Sequence, residues 1–355
     1  MKKFLIINPF GIGDVLFTTA VIKAIKENNP DNFIGYWCNE RVRDIFSGNP
    51  HVDKIFALSR GDIKKIAQKS KLKGVSKFLG LLRQIRREKF DIALDFSLDH
   101  RYALPCKISG IKRRIGFNYK GRGRLLTDRI DLIGYSQKHV VEYYLDLLAP
   151  LNIIPKSKEL ELFVSDKSNS KAKEIFSQSG ISDKDLVLGI AAGAGLSWGK
   201  DASLKHWLPE RFAQLADKVI EEFGAKVLLL GDGSEMAISE KIISTMKHKA
   251  LNLAGKTSLE SLAGIIAKLK ILVTNDGGPL HMACALGIKT VSIFGPVDDK
   301  VYGPYPPSDK HIVVKSNFDC QPCYQQFRMP DCERNRQCIS SIDVGQVLTA
   351  VRRIL

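Results

Sequence analysis

Thr274-Asn275-Asp276-Gly277-Gly278-Pro279-Leu280-His281 joins a short apolar run, Ile271 to Val273, to a helix-patterned segment through Met282, Cys284 and Leu286. The order is strand, glycine turn, helix start. Paired glycines let the backbone approach a ligand closely, and a helix N-terminus offers N–H groups and the positive end of its dipole to an anion. A nucleotide diphosphate suits that place, with Asp276, Gly277, Gly278 and His281 around it. The plainer alternative has Asp276 capping the helix, the glycines making the turn and His281 passive.

Asp14 stands at the top of the first helix, after the glycine loop Asn8-Pro9-Phe10-Gly11-Ile12-Gly13. A carboxylate there either caps the helix or serves as a general base for an acceptor hydroxyl, and a helix N-terminus keeps it ionised as a base requires. Lys200 and Lys205 bracket the loop from Ser197 to Trp207, which follows the small-residue turn Ala191-Ala192-Gly193-Ala194-Gly195. One of these lysines can neutralise a leaving diphosphate, or both are solvated. Glu235, after Gly231-Asp232-Gly233, can accept hydrogen bonds from a ribose or cap the next helix.

Four of the seven cysteines, Cys320, Cys323, Cys332 and Cys338, crowd into one stretch. The close first pair plus two further thiols permits a structural tetrathiolate zinc site; two disulfides or free thiols are the other states, and disulfides would need an oxidising compartment. Cys38, Cys106 and Cys284 lie in or near apolar segments and read as core.

Elements must hold these residues in place. Strand-patterned runs (Lys3–Ile7, Phe33–Trp37, Lys54–Ala57, Ile92–Phe96) alternate with helix-patterned ones (Val15–Glu27, Val42–Phe46, Phe78–Arg87) in the first half. The second half repeats the grammar with strands at Leu186–Ile190, Lys226–Leu230, Ile271–Val273 and Thr290–Phe294, helices at Glu210–Phe223 and Ser258–Ala267, and a last helix from Val344. This predicts an α/β chain of two Rossmann-like domains with parallel sheets, glycine loops lining one interdomain cleft. Gly11-Ile12-Gly13 lacks the third glycine of a dinucleotide fingerprint, so a dehydrogenase loses weight. The expected domains are 1–160 and 161–340, the second carrying a cysteine-rich loop at 318–338, with 341–355 a terminal helix.

The chain has 355 residues, 44% hydrophobic and 26% charged, the make-up of a soluble globular protein. No apolar run reaches the roughly 20 residues that cross a bilayer, and the opening Met1-Lys2-Lys3 with Phe4–Ile7 reads as a buried strand rather than a secretory leader, giving a cytoplasmic expectation. Net charge is +16, and Arg60 to Arg129 holds 20 Lys and Arg against 6 Asp and Glu. Arg101, Lys112, Arg113, Arg114, Lys120, Arg122 and Arg124, interleaved with Gly110, Gly116, Gly121 and Gly123, suggest a mobile basic loop. Such a face suits a nucleic acid, an anionic membrane or a phosphorylated acceptor. The stretch lacks interleaved stacking aromatics and any zinc-finger or helix-turn-helix spacing, which argues against nucleic acid.

In order and spacing, four motifs resemble the family 9 glycosyltransferases, the lipopolysaccharide heptosyltransferase group. They are Asn8–Asp14 with its helix, Lys205-His206-Trp207-Leu208-Pro209-Glu210-Arg211-Phe212, Gly231–Glu235, and Asn275–His281 with Phe294-Gly295-Pro296. The resemblance implies a GT-B fold and metal-independent, inverting transfer of a sugar from a nucleotide diphosphate. It implies Asp14 as base, Lys205 as phosphate-stabilising cation with Lys200 its rival, Glu235 on the ribose, Thr257 at the adenine pocket, and Asp276, Gly277, Gly278 and His281 around the diphosphate sugar. Where better-known members have a hydroxyl pair, this chain has Ala191–Gly195 with Ser197 the nearest hydroxyl, so backbone N–H groups around Gly193 are expected to carry more of the binding. The implied donor is ADP-heptose. The implied acceptor is an anionic lipopolysaccharide core met at the inner face of the cytoplasmic membrane, with Gly13, Arg113, Arg114, Lys120, Arg122 and Arg124 on the acceptor side. No catalytic cofactor is expected. A transferase of another nucleotide sugar, or a non-catalytic binding protein for nucleic acid or glycan, are the alternatives.

Overall fold

The computed structural model describes the backbone of residues 1–355 and every side chain except those of Arg60, Leu196, Ser197 and Lys200. The chain divides into two units, Met1–Glu161 and Leu162–Leu355.

In the first unit the order is β1 (Lys3–Ile7), α1 (Ile12–Phe17), α2 (Thr19–Asn28), β2 (Phe33–Cys38), β3 (Lys54–Ala57), α3 (Arg60–Lys69), α4 (Lys71–Glu88), β4 (Ile92–Asp95), α5 (His100–Ile108), β5 (Arg113–Tyr119), β6 (Asp128–Leu132) and α6 (Val140–Asp146). The strands form one parallel sheet in the order β3-β2-β1-β4-β5-β6. Central β1 and β4 are buried almost end to end, which is why they read as unbroken apolar runs rather than alternating ones. The first predicted helix is two. Thr18 and Thr19 turn their hydroxyls back onto the carbonyls of Val15 and Leu16, both at 2.6 Å, and the helix breaks between them.

The basic stretch is not the mobile loop its composition suggests. It folds as β5 and β6, joined by a single 3₁₀ turn at Arg122–Leu125. Two of its glycines are packing positions: a Cβ on Gly116 would lie 2.7 Å from the Asp95 carbonyl oxygen, and one on Gly123 would lie 2.9 Å from the Asn118 side chain.

The second unit runs α7 (Asp166–Gln178), β7 (Val187–Ala191), α8 (Pro209–Phe223), β8 (Lys226–Leu230), α9 (Met236–Thr245), β9 (Leu251–Asn252), α10 (Leu259–Ile266), β10 (Ile271–Asn275), α11 (Gly278–Ala285), β11 (Lys289–Phe294), α12 (Asp299–Tyr302), β12 (His311–Lys315), α13 (Gln337–Ser340) and α14 (Val344–Ile354). Its sheet, again parallel, is ordered β12-β11-β10-β7-β8-β9. The short β9 and the edge strand β12 were not predicted, β12 because its residues are only half-buried. The terminal helix α14 belongs to this unit: Val347, Leu348, Val351 and Ile354 join the core that Trp207, Phe212, Leu215 and Val219 build on the sheet.

Numbered within its own unit, each sheet has the strand order 3-2-1-4-5-6. Strand order reverses between β1 and β4 in one unit and between β7 and β10 in the other. In open parallel sheets the crevice beyond the carboxyl ends at such a switch point is where ligands bind. The loops that leave β1, β7 and β10 are the glycine motifs singled out above.

Candidate active site

In the first unit the loop after β1 is held by two asparagines. Asn8 donates to the Asp14 carbonyl (3.0 Å) and accepts from Phe10 N–H (3.1 Å), while Asn39 donates to the carbonyls of Pro9 and Phe10 at 3.0 and 2.6 Å. The loop delivers the chain into α1 with Gly11 as N-cap and no side-chain cap. Asp14 therefore does not cap the helix. It lies within the first turn, half-buried like Gly13, and Tyr144 of α6 donates its hydroxyl to Oδ1 at 3.4 Å. On the neighbouring strand Asp95, opposite Ile7, ends β4 in full burial. Burial raises its carboxyl to about 6, against the pull of the Ser97 bonds and with a smaller push from Asp99.

The predicted basic residues separate into two groups. Arg113 is committed to Asp128 (2.9 Å) and to the Pro150 carbonyl (2.5 Å), and Arg114 to the carbonyls of Leu125 (2.8 Å) and Ile111 (2.6 Å). Those two guanidiniums hold the sheet edge. Lys120, Arg122 and Arg124 are exposed, the first two beside the Tyr119 ring.

In the second unit, Asn275 at the end of β10 ties three segments together. Its amide donates to the Ala192 carbonyl beyond β7 (2.6 Å) and accepts from the Trp207 N–H (3.1 Å), while Thr274 donates to the Ala191 carbonyl (3.0 Å). Trp207 is anchored in turn through its indole N–H to the Ile342 carbonyl at 2.8 Å. This fixes Lys205, two residues earlier, at the end of the 3₁₀ segment Leu196–Lys205. Only 2% exposed, Lys205 sets Nζ 2.6 Å from Asp276 Oδ2 and 3.9 Å from the centre of the Trp198 ring. Asp276 is thus an ion-pair partner and not a cap: Gly277 is the N-cap of α11, whose first turn has no side-chain cap. His281 lies further along α11, 4% exposed.

Glu235 does what the plainer reading expected and more. It completes a capping box with Asp232, whose N–H it accepts at 3.0 Å, and it also accepts the Gly195 N–H at 3.1 Å. Gly193 makes room for it, since a Cβ there would lie 1.6 Å from Glu235 Oε1 and would displace the carboxylate. Burial raises the Glu235 carboxyl above the usual range, offset by the N–H bond within its own turn. The loop that carries half-buried Thr257 is seated on the same turn by a bond from Gly255 N–H to the Gly231 carbonyl (3.0 Å). The side chains of Ser197 and Lys200 lie outside the described residues.

The cysteine-rich segment packs beside Lys205. The Tyr324 ring meets Trp198 edge-on at 4.8 Å, the N–H groups of Cys323 and Tyr324 both donate to the Pro296 carbonyl, and Arg336 donates to the Ser203 carbonyl at 2.8 Å. All four cysteines border one small cavity, and none of them is in a disulfide. Cys323 is pushed up to about 11 by burial and by Cys320, with smaller effects of Cys338 and Cys332. Among the described residues, no three His, Cys, Asp or Glu side chains form a metal's ligand set.

The glycosyltransferase family 9 (heptosyltransferase) model matches residues 78–332. The chain belongs to this family. Against the Escherichia coli (strain K12) lipopolysaccharide heptosyltransferase 2, this family 9 chain is 26% identical over 306 residues, 83% of each sequence. Among solved structures, the family 9 glycosyl transferase from Veillonella parvula superposes with a TM-score of 0.83 at 22% identity, covering 99% of this chain and 97% of the other. The E. coli ADP-heptose lps heptosyltransferase II gives 0.77 at 23% identity, covering 100% and 98%. The two parallel α/β units are the pair a GT-B chain requires.

Sequence reasoning missed Asn39, Tyr144, Trp198 and Asn275 as site residues. Asn275 stood inside the quoted motif and Trp198 inside the lysine loop, so a signal was present for both. Asn39 and Tyr144 lie in segments with no motif, and only folding brings them to the loop after β1.

Proposed function

We propose that this chain transfers a heptose from ADP-heptose to a hydroxyl of a lipopolysaccharide core or related surface glycan at the inner face of the cytoplasmic membrane, with inversion and without a catalytic metal. The observation that carries this reading is the buried Lys205–Asp276 pair, one residue ahead of the uncapped N-terminus of α11. A leaving diphosphate needs a fixed cation and N–H donors where its charge develops, and a site already organised before the ligand arrives supplies them without reorganisation. Membership of family 9 and the likeness to a lipopolysaccharide heptosyltransferase support the sugar and the acceptor class.

In the proposed step the acceptor oxygen bonds to the anomeric carbon as the bond from that carbon to the β-phosphate oxygen breaks, and ADP leaves with the electron pair. Asp14 takes the acceptor proton. Lys205 and the α11 N–H groups receive the diphosphate charge, Glu235 keeps acceptor capacity on its carboxylate for ribose hydroxyls, and Thr257 borders the base. Exposed Lys120, Arg122 and Arg124 face the anionic acceptor. The cysteine-rich segment acts through Tyr324 and Trp198 on the placement of Lys205, a structural contribution.

The test is thermal unfolding with ADP, GDP, UDP and CMP, followed by turnover with ADP-heptose and NMR of the product anomer. A selective rise with ADP and an inverted product are expected. Asp14→Ala should keep the ADP shift and lose about 10²- to 10⁴-fold in turnover, the usual range for a positioned base. A selective rise with another nucleotide would replace the donor, and loss of the ADP shift in Asp14→Ala would make Asp14 a structural residue.

A further inference from the structure

Helix α4 is apolar on two opposite faces. Gly74, Leu81 and Ile85 are buried, Gly74 so close to α3 that a Cβ would lie 2.9 Å from that of Ala67. At about 100° per residue, Leu72, Val75 and Leu79 fall on the other side of the helix. There they are 84%, 57% and 44% exposed. Around this stripe stand Lys71, Arg83, Arg86 and Arg87, all exposed, with Lys73 and Lys77 exposed toward the other side of the helix, while the helix's one acid, Glu88, is paired with Lys54 and Lys3. Lys65, Lys73 and Lys77 also border a groove of about 840 Å³ whose lining includes Phe56 and Ile66. Among the described residues, Met236 is the only strongly exposed large apolar side chain of the second unit.

We propose that α4 is an in-plane membrane anchor: Leu72, Val75 and Leu79 enter the headgroup boundary of a bilayer containing anionic lipid, and the surrounding lysines and arginines reach its phosphates. A helix with an apolar stripe and a cationic remainder lies in the interface with the stripe down, its long basic side chains extending to the headgroups. Each alternative occupant leaves half of the face unmet. Nucleic acid would satisfy the cations but leave the leucines in water. A second copy of the chain would cover the leucines but set two clusters of like charge against each other. Among the described residues no helix is long and apolar enough to cross a membrane, so the contact is a surface one.

The proposal deepens the reading of a membrane-borne acceptor, yet its test needs neither donor nor acceptor, so the two fail separately. The full chain is sedimented with phosphatidylcholine vesicles with and without phosphatidylglycerol. Binding to the mixed vesicles is expected, at least about tenfold weaker to the neutral ones, and falling with salt. Leu72→Ser/Val75→Ser/Leu79→Ser should weaken it about tenfold or more with an unchanged thermal midpoint, because these side chains are exposed. Lys71→Gln/Arg83→Gln/Arg86→Gln should erase the preference for phosphatidylglycerol, an independent arm should the serine variant fold poorly. The proposal is overturned by a wild-type chain left in the supernatant, by a folded serine variant that binds as wild type does, or by light scattering showing a dimer that the serine variant loses.

Discussion

Lys205 is 2% exposed, with Asp276 Oδ2 2.6 Å from its Nζ and the Trp198 ring lying over it at 3.9 Å. A buried ion pair adds little over apolar packing, but removing one partner leaves the other charge buried and uncompensated. Lys205→Ala and Asp276→Ala should each destabilise the fold by about 3–5 kcal/mol, and the double variant by clearly less than their sum. Denaturant midpoints of the three variants measure this, and simple additivity would show that the two charges are not coupled. The same pair holds Lys205 in place through a carboxylate that a helix cap would have pointed elsewhere.

At the scale of elements, the site depends on how β7, β10 and the lysine segment are joined. Asn275 bonds two of them at once, its oxygen to Trp207 N–H and its nitrogen to the Ala192 carbonyl. Asn275→Ala should cost about 1–3 kcal/mol for each buried group left unpaired and should weaken nucleotide binding, since both the Ala191–Gly195 turn and Lys205 lose their register. Asn275→Asp keeps the acceptor half and is expected to fall between wild type and Ala in both thermal midpoint and ADP titration. Equal ADP affinity in all three would confine Asn275 to stability.

Across the whole molecule, buried Asp95 and half-buried His311 should tilt stability against pH in opposite directions. His311, with Nδ1 2.9 Å from Thr290 Oγ1, is lowered to about 4 mainly by burial, with Lys310 adding. It stays neutral in the fold while the unfolded chain takes up a proton near pH 6.5, so its contribution is complete above about 6.5 and is lost as pH falls to about 4. Asp95, raised to about 6, behaves the other way: its contribution is complete below its unfolded value near 3.8 and is lost as pH rises through about 6. The two partly cancel between those limits, so wild-type curves conceal them and variants reveal them. Asp95→Asn, neutral at every pH, should be more stable than wild type at pH 8 by about 1–3 kcal/mol and no more stable at pH 4. His311→Asn should flatten the loss on acidification below about 6.5. Thermal midpoints across that range decide both, and parallel curves for wild type and Asp95→Asn would show that Asp95 is ionised in the fold without cost.

Local sequence was enough for the parallel sheets, because a strand buried on both faces must be apolar throughout and the glycine loops mark where it stops. Phe4–Ile7 and Ile271–Val273 show this, and the spacing of the motifs after them carried the family. Where charge masked the pattern, as in β5 with its Arg113 and Arg114, a strand read as a loop. Partnership between distant side chains was not legible at all. Asp276 with Lys205 and Glu235 with Gly195 meet only because strand order brings separate loops to the carboxyl end of the second unit's sheet, and Asp14 with Tyr144 only because α6 packs near α1 in the first. The same holds for α4, whose sequence shows apolar residues around much of the helix but not which of them the core takes. Backbone periodicity is a property of neighbours along the chain. Ion pairing and exposure are properties of neighbours in space, and those the tertiary structure alone decided.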